Sequence, residues 1–289
     1  MKKILVTGGS GFIGRHVVNS LIKRNYKVTI LDLVNPKRND IKFVKGSILN
    51  KKLIKSLLKK NKLVFHLAAL SDINKTIKTP SKTILVNILG TERLLEESQK
   101  SKVKRFIFAS TYYPSKDNVN NIYTTSKSTS ELLIKNYNLL YGLNYTILRY
   151  PTAYGPGNRQ VDAISIFVKK ALRNSNIIIH GDGKQKRNYI HVEDIGEGSM
   201  LGLKKQLENK IFFLASKKNI KIIDIARKII TITNSKSKII LNRKKKRIND
   251  FSSNTISLKN QNKIARWQPK YDLKSGLKQY IKTQKSKKN

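Results

Sequence analysis

Short apolar runs alternate with amphipathic stretches through the first half of the chain. Residues 3–7, 27–31, 41–44, 63–68, 105–110 and 145–150 are continuous and rich in β-branched side chains, the pattern of strands buried on both faces. Helical periodicity fills the gaps over 12–24, 51–60, 82–100 and 124–141. Strand and helix in repeated alternation predict crossover connections and an α/β fold with a doubly wound parallel sheet. After Tyr150 the rhythm changes at the Pro/Gly-rich break PTAYGPGNR. Shorter, more polar elements follow: a helix over 192–205, a strand over 211–215, a helix over 222–232, a lysine-rich tract and a terminal amphipathic helix. The expected organisation is a sheet domain over residues 1–153, completed by parts of 192–232. A smaller region, 154–289, would cap the carboxyl edge of the sheet and bind substrate.

The junction of the first strand and first helix reads VTGGSGFIG. Gly9, Gly11 and Gly14 satisfy G-x-G-x-x-G in the context where it means dinucleotide binding, so the sheet is expected to be of the Rossmann type. The first glycines permit a tight turn and let a pyrophosphate touch backbone N–H groups. Gly14 lets the helix lie close on the sheet, and the helix N-terminus adds partial positive charge. Asp32 ends the second strand, where a carboxylate can take both adenosine ribose hydroxyls and so favours NAD over NADP. Lys37 and Arg38 lie nearby and leave a phosphorylated ribose open. A ligand-free glycine turn and a simple helix-cap aspartate are the plain alternatives; their joint spacing favours the cofactor.

Tyr123 and Lys127 stand one turn apart at the start of a predicted helix, hence on one face. A phenol is a poor base at neutral pH, and a nearby ammonium together with an oxidised nicotinamide would stabilise its phenolate. Ser110 and Thr111 end a strand at the carboxyl edge of the sheet, where a hydroxyl can hold the substrate oxygen. In so lysine-rich a chain Tyr-x-x-x-Lys also arises on ordinary surface helices. Its weight comes from following a dinucleotide loop and a strand-end Ser-Thr.

Composition changes the picture in a few places. The 289 residues carry a formal charge of +43, which invites a polyanion partner. The lysines are spread over nearly every segment and accompany an excess of Asn and Ile, so A/T-rich codon drift of the surface explains them without specific nucleic-acid recognition. Clusters such as RKKKR would still adhere to polyanions in a salt-sensitive way. With no cysteine and four scattered histidines, neither a disulfide nor a metal centre is expected. His66 and His191 are expected to be packed or hydrogen-bonded at strand ends. No stretch has the length of a membrane span, and the opening apolar run breaks at Gly8, too early for a secretory signal. A cytoplasmic protein without membrane insertion is expected.

Taken in order, these motifs resemble the extended short-chain dehydrogenases, in particular the NAD-dependent nucleotide-sugar epimerases and dehydratases related to UDP-glucose 4-epimerase. TGGSGFIG resembles the family's cofactor loop (Gly8, Gly9, Ser10, Gly11, Phe12, Ile13, Gly14), and FHLAA resembles the segment walling the cofactor (Leu67, Ala68, Ala69). VNILGT brings Asn87, and STYY, YTTSK and LRYPTAYGPG follow in the family's order, with Tyr150 beside the cofactor and Thr152 beside the substrate. GDGKQKRNYIHVEDI supplies Arg187 and RIND supplies Arg247 for the substrate diphosphate, with Asp250 near the nucleoside.

The resemblance implies an NAD cofactor and 4-epimerisation of a nucleotide sugar through a transient ketone, with Tyr123, Lys127, Thr111 and Ser110 as the catalytic group. It also implies a homodimer built on the two long helices, with Leu132, Leu133, Leu139 and Leu140 serving that interface or the core, and a place in polysaccharide biosynthesis. A keto-sugar reductase would use the same Tyr and Lys. A 4,6-dehydratase would need acidic residues where Tyr112 and Tyr113 stand, and a cofactor-binding module without turnover is the non-enzymatic alternative. Ser47, Thr152 and Asn249 depart from residues common in the family. The segment between Thr111 and Tyr123 is shorter than usual, so the sugar cannot be inherited from the resemblance.

Overall fold

The computed structural model describes residues 1–112, 121–158, 162–243 and 265–286. The chain divides into two compact units, the first built mainly from Met1–Tyr150 and Gly196–Leu214 and the second beginning with Pro151–Ile195.

In the first unit the continuous apolar runs become β1 (Lys3–Thr7), β2 (Lys27–Asp32), β3 (Lys42–Lys45), β4 (Leu63–His66), β5 (Arg105–Thr111) and β6 (Tyr145–Tyr150). With Lys210–Phe213 they form a seven-stranded sheet in the order β3–β2–β1–β4–β5–β6 and then Lys210–Phe213, every neighbouring pair parallel. The helices are α1 (Phe12–Ile22), α2 (Lys51–Lys60), α3 (Ile73–Lys78), α4 (Pro80–Ile84), α5 (Gly90–Lys100) and α6 (Ile122–Tyr141). Strand order reverses between β1 and β4, so the loops leaving these two strands part at the carboxyl edge and open the crevice where such sheets bind ligands.

Every residue of β5 is buried, which explains why its sequence shows no alternation. Phe106, Phe108, Val64 and Ile147 pack with Ile54, Leu58, Leu94, Leu95 and Ile134 of α2, α5 and α6 in one core.

Two expected helices differ in detail. The stretch 82–100 is interrupted by a π-helical turn at Leu85–Leu89 between α4 and α5. The helix expected over 192–205 ends at Ser199 and continues as tight 3₁₀ turns at Met200–Leu203 and Lys205–Leu207. Gly196, Gly198 and Gly202 weaken helix there, and Gly202 lets the backbone come down on β5: a Cβ would lie 2.8 Å from Ile107.

The second unit has no continuous sheet among the described residues. Thr152–Tyr154 pairs in parallel with Tyr189–His191, Ile177–His180 in parallel with Ile239–Asn242, and Lys186–Arg187 antiparallel with Ile220–Lys221. Helices Ala163–Ala171, Ile222–Thr233 and Leu273–Lys285 cover these pairs around Tyr154, Phe167, Ile179, Ile225, Leu277 and Tyr280. Asp162 and Asp272 cap the first and last of these helices. Asp194 accepts the backbone N–H groups of Lys270 and Tyr271 at 2.9 Å each, pinning the approach to the last helix.

Candidate functional site

The glycine loop answers to two demands. Gly8 has φ +73°, and a Cβ on it would sit 2.6 Å from the Ala68 nitrogen, so the segment Leu67–Ala69 after β4 can lie directly against it. A Cβ on Gly14 would lie 2.1 Å from the Gly8 carbonyl, and one on Gly9 would press on Ile30 at 2.9 Å. The chain's own packing therefore requires three of the four glycines. Gly11 is different: its Cβ would meet only the Gly8 carbonyl, at 3.2 Å, so bare space lies beside it. It also caps α1 without a side-chain bond, leaving the first-turn amides and the positive helix end for a ligand.

Asp32 holds the loop from the end of β2. Its carboxylate accepts from Ser10 N at 3.0 Å and from Val34 N at 3.2 Å, while Ser10 Oγ donates to the Val34 carbonyl at 2.6 Å. Arg38 is committed elsewhere, forking onto Asp40 with two 2.6 Å bonds and reaching Asn19 at 2.8 Å. Of the two cations that left a phosphorylated ribose open, Arg38 is thus already neutralised. Ser47 accepts from Leu49 N at 3.1 Å within a local turn. A helix N-terminus without a side-chain cap and a carboxylate ending β2 together fit a dinucleotide with an unphosphorylated ribose.

Asn87 sits in the π-helical turn, 2% exposed. Its amide bonds to both the N–H and the carbonyl of Leu70, at 2.8 and 3.0 Å, and donates to Ser126 Oγ at 3.0 Å. Ser126 Oγ in turn donates to the Tyr123 carbonyl at 2.7 Å. Asn87 therefore fastens the segment after β4 to the start of α6 through bonds that use its whole side-chain amide. The π turn is where an extra residue turns it inward. His66, fully buried, bridges Thr7 and Thr91 at 2.7 and 2.9 Å. Burial drives its pKa down to about 3, with the charge of Lys127 acting in the same direction, so it is a neutral core residue.

Thr111, Tyr123 and Lys127 come from the end of β5 and the start of α6, both in the first unit. Asn121 caps α6, accepting from Thr124 N at 2.9 Å. Lys127 is 4% exposed; its ammonium donates to the Ala109 carbonyl at 2.8 Å and stands 4.5 Å over the Phe108 ring. Burial lowers its pKa to about 7, against the attraction of Glu131. Burial also pushes the Tyr123 phenol up to about 12. Ser110 is committed to α6, donating to Glu131 at 2.5 Å, and Glu131 is clamped by Arg149 of β6. The hydroxyl of Tyr150 meets Ser199 at 2.8 Å, and burial raises its pKa.

Thr152 and Arg187 belong to the second unit, on two different strand pairs. Thr152 N donates to the Asn188 carbonyl at 3.1 Å. The buried Asn188 side chain donates to Ser216 O and Asn219 Oδ1 and accepts from Ser216 N, fixing the backbone next to half-buried Arg187. Arg247 and Asp250 lie outside the described residues. Among the described residues no acidic or histidine cluster could hold a metal ion, and no helix is long and apolar enough to cross a membrane.

Sequence reasoning missed three contributors: Glu131, Arg149 and Asn188. For Glu131 a signal existed, since it follows Lys127 at the spacing by which Lys127 follows Tyr123.

A Rossmann-type sheet with this loop, a Thr that ends β5 and a Tyr–Lys pair one turn apart at the start of α6 define a short-chain dehydrogenase architecture. The sequence profile of the NAD dependent epimerase/dehydratase family matches residues 4–215, and the chain belongs to that family, with NAD as its cofactor. A Methanocaldococcus jannaschii protein named as a candidate UDP-glucose 4-epimerase is 32% identical, the match covering 98% of each chain. A dTDP-D-glucose 4,6-dehydratase of Dictyostelium discoideum is 33% identical over 81% of this chain and 62% of its own. The structure of UDP-glucose 4-epimerase from Thermotoga maritima with UDP-glucose superposes with a TM-score of 0.90 at 27% identity, covering 99% of this chain and 100% of that one.

Proposed function

We propose that the protein is an NAD-dependent nucleotide-sugar 4-epimerase that inverts C4 of a nucleoside-diphosphate hexose through a transient 4-keto sugar. Bound NAD supplies a reversible hydride acceptor and a positive ring. Thr111 hydrogen-bonds the reacting sugar oxygen, and Tyr123 takes its proton and later returns it. Lys127 stabilises the Tyr123 phenolate and holds the nicotinamide ribose. Burial alone makes the phenol a weaker acid, so this positive surrounding is what brings Tyr123 into working range. Gly11 and the first turn of α1 receive the pyrophosphate, and Asp32 takes the adenosine ribose. Thr152, Arg187, Arg247 and Asp250 receive the substrate, the arginines balancing its diphosphate.

The observation that carries the epimerase reading is the residue after Thr111. Tyr112 is 4% exposed and packed edge-on against Phe213 at 5.7 Å. The Dictyostelium relative favours a 4,6-dehydratase instead, but dehydration needs acidic groups at this place, and a buried phenol replaces them. The protein works as a cytoplasmic homodimer through α5 and α6. Supporting this, Leu132, Leu139 and Leu140 are 61%, 82% and 67% exposed on α6, whereas Leu133 packs into the core.

The test incubates purified protein with UDP-glucose and with dTDP-glucose, without added cofactor, and follows the products by NMR. An epimerase equilibrates the C4 pair catalytically. A lasting 4-keto-6-deoxy product would establish a dehydratase, and stoichiometric consumption of NADH in a parallel assay supplied with NADH and a nucleotide 4-keto sugar would establish a reductase. NAD binding with no turnover of any nucleotide sugar would overturn the enzyme reading.

A further inference from the structure

Glu131 lies one helical turn beyond Lys127 on α6 and is 4% exposed. Two strands close on its carboxylate. Arg149 of β6 grips both oxygens, Nε to Oε1 at 3.0 Å and Nη2 to Oε2 at 2.6 Å, and Ser110 of β5 donates to Oε1 at 2.5 Å. The Arg149 guanidinium lies 5.1 Å over the Phe213 ring. A buried ion pair is weak support for stability, because desolvation of both charges offsets their attraction. What this one does in the fold is join α6, β5 and β6 at the level where Thr111 and Lys127 emerge.

Lys127 needs such a partner. Its own contacts, a carbonyl dipole at Ala109 and the quadrupole of the Phe108 ring, are not anions. The titratable and charged groups around it are Tyr123 and Glu131 on α6, His66 on β4, and Arg149 of β6 behind Glu131. Tyr123 and His66 are neutral in this structure. Glu131 is the group whose charge favours the ammonium.

We propose that Glu131 is a positioning residue of the reaction: through Ser110 it ties the end of β5 to α6, and its charge keeps buried Lys127 an ammonium. Burial pulls Lys127 down to about 7 even with Glu131 in place. Without the carboxylate charge, burial acts unopposed and the proton leaves at lower pH. A neutral Lys127 no longer favours the Tyr123 phenolate. The kinetic arm of this inference rests on the epimerase reading, whereas its spectroscopic arm does not.

The test uses the full chain with ¹³C-labelled lysine. The Lys127 signal is identified by its loss in Lys127→Arg, and its titration midpoint is followed by NMR. In Glu131→Gln the midpoint is expected to fall by about one pH unit, and in Arg149→Lys to stay within a few tenths of wild type while the protein melts earlier. Glu131→Asp keeps the charge but draws back from Ser110, so the midpoint recovers while turnover stays about tenfold down. The alkaline limb of kcat moves down with the midpoint in Glu131→Gln. Should Glu131→Gln fail to fold, Glu131→Met/Arg149→Met replaces the pair by apolar side chains, and a smaller shift in the same downward direction is expected, because the repulsion from Arg149 goes with it. An unchanged Lys127 midpoint in whichever variant folds overturns the proposal. If wild type turns over no nucleotide sugar, the epimerase reading falls and the midpoint still decides the role of Glu131.

Discussion

In the first unit all seven strands run parallel, and the residues proposed for catalysis hang from β5, buried at every residue, and from α6, whose buried residues fall between Thr124 and Ile134. In the second, the described strands come in pairs of two to four residues, and Thr152 and Arg187 sit on different pairs. A continuous ladder fixes backbone positions to fractions of an ångström, which proton transfer demands. Separate short pairs let side chains change without disturbing a shared sheet, which suits the choice of substrate. The division expected is chemistry in the first unit and selection in the second.

The sharpest way to break that division is Tyr123→Phe, which should lower turnover by ~10³-fold and leave bound NAD, measured by mass spectrometry, at the wild-type level. Loss of NAD along with turnover would show that the phenol holds the cofactor rather than moving a proton. Next comes Gly14→Ala, whose new methyl would collide with the Gly8 carbonyl and should destabilise the protein by ~3 kcal/mol in urea unfolding. Gly11→Ala should stay within about 1 kcal/mol of wild type yet weaken NAD binding, because its methyl would enter the open space proposed for the pyrophosphate. In the second unit, Arg187→Ala should raise KM for the nucleotide sugar by ~10- to 100-fold with kcat and NAD content unchanged, since a charge-assisted bond to a phosphate is worth ~1.5–3 kcal/mol.

The last effect, read as a slope per pH unit, belongs to the first unit alone. His66 binds its proton near pH 3 when folded and near 6.5 when unfolded. Between these values the unfolded chain holds the extra proton, so stability rises with pH across that window, by at most ~1.4 kcal/mol per pH unit. His66→Gln should remove about one proton from that slope in urea titrations run from pH 4 to 7. An unaltered slope would mean that His66 is not the buried neutral group described.

The parallel sheet was legible because burial on both faces leaves apolar runs unbroken, as in β5. The strands at Thr152–Tyr154, Lys186–Arg187 and Ile220–Lys221 were not, since two or three residues carry no period. The π turn was hidden too: a single extra residue leaves the apolar spacing of 82–100 looking like one helix. Within the site, the glycine loop and the Tyr123–Lys127 pair could be read because their geometry is local. The contacts of Glu131 join residues 21 and 18 positions away in the chain, and spacing says nothing about those. Leu132 and Leu133 show the same limit, adjacent in sequence yet one exposed and the other packed on the core. Arg247 and Asp250 lie outside the described residues and keep their roles as proposals.

The surplus residue in the turn Leu85–Leu89 makes chain length there non-negotiable. Trimming one residue would relax the turn to ordinary α-helix and swing everything from Gly90 onward by roughly 100° about the axis. Thr91 would leave both the Asn87 carbonyl and the His66 ring, and Glu92 would leave Tyr137. Side chains here can be exchanged one at a time, but a deletion has to be answered by an insertion within the same turn.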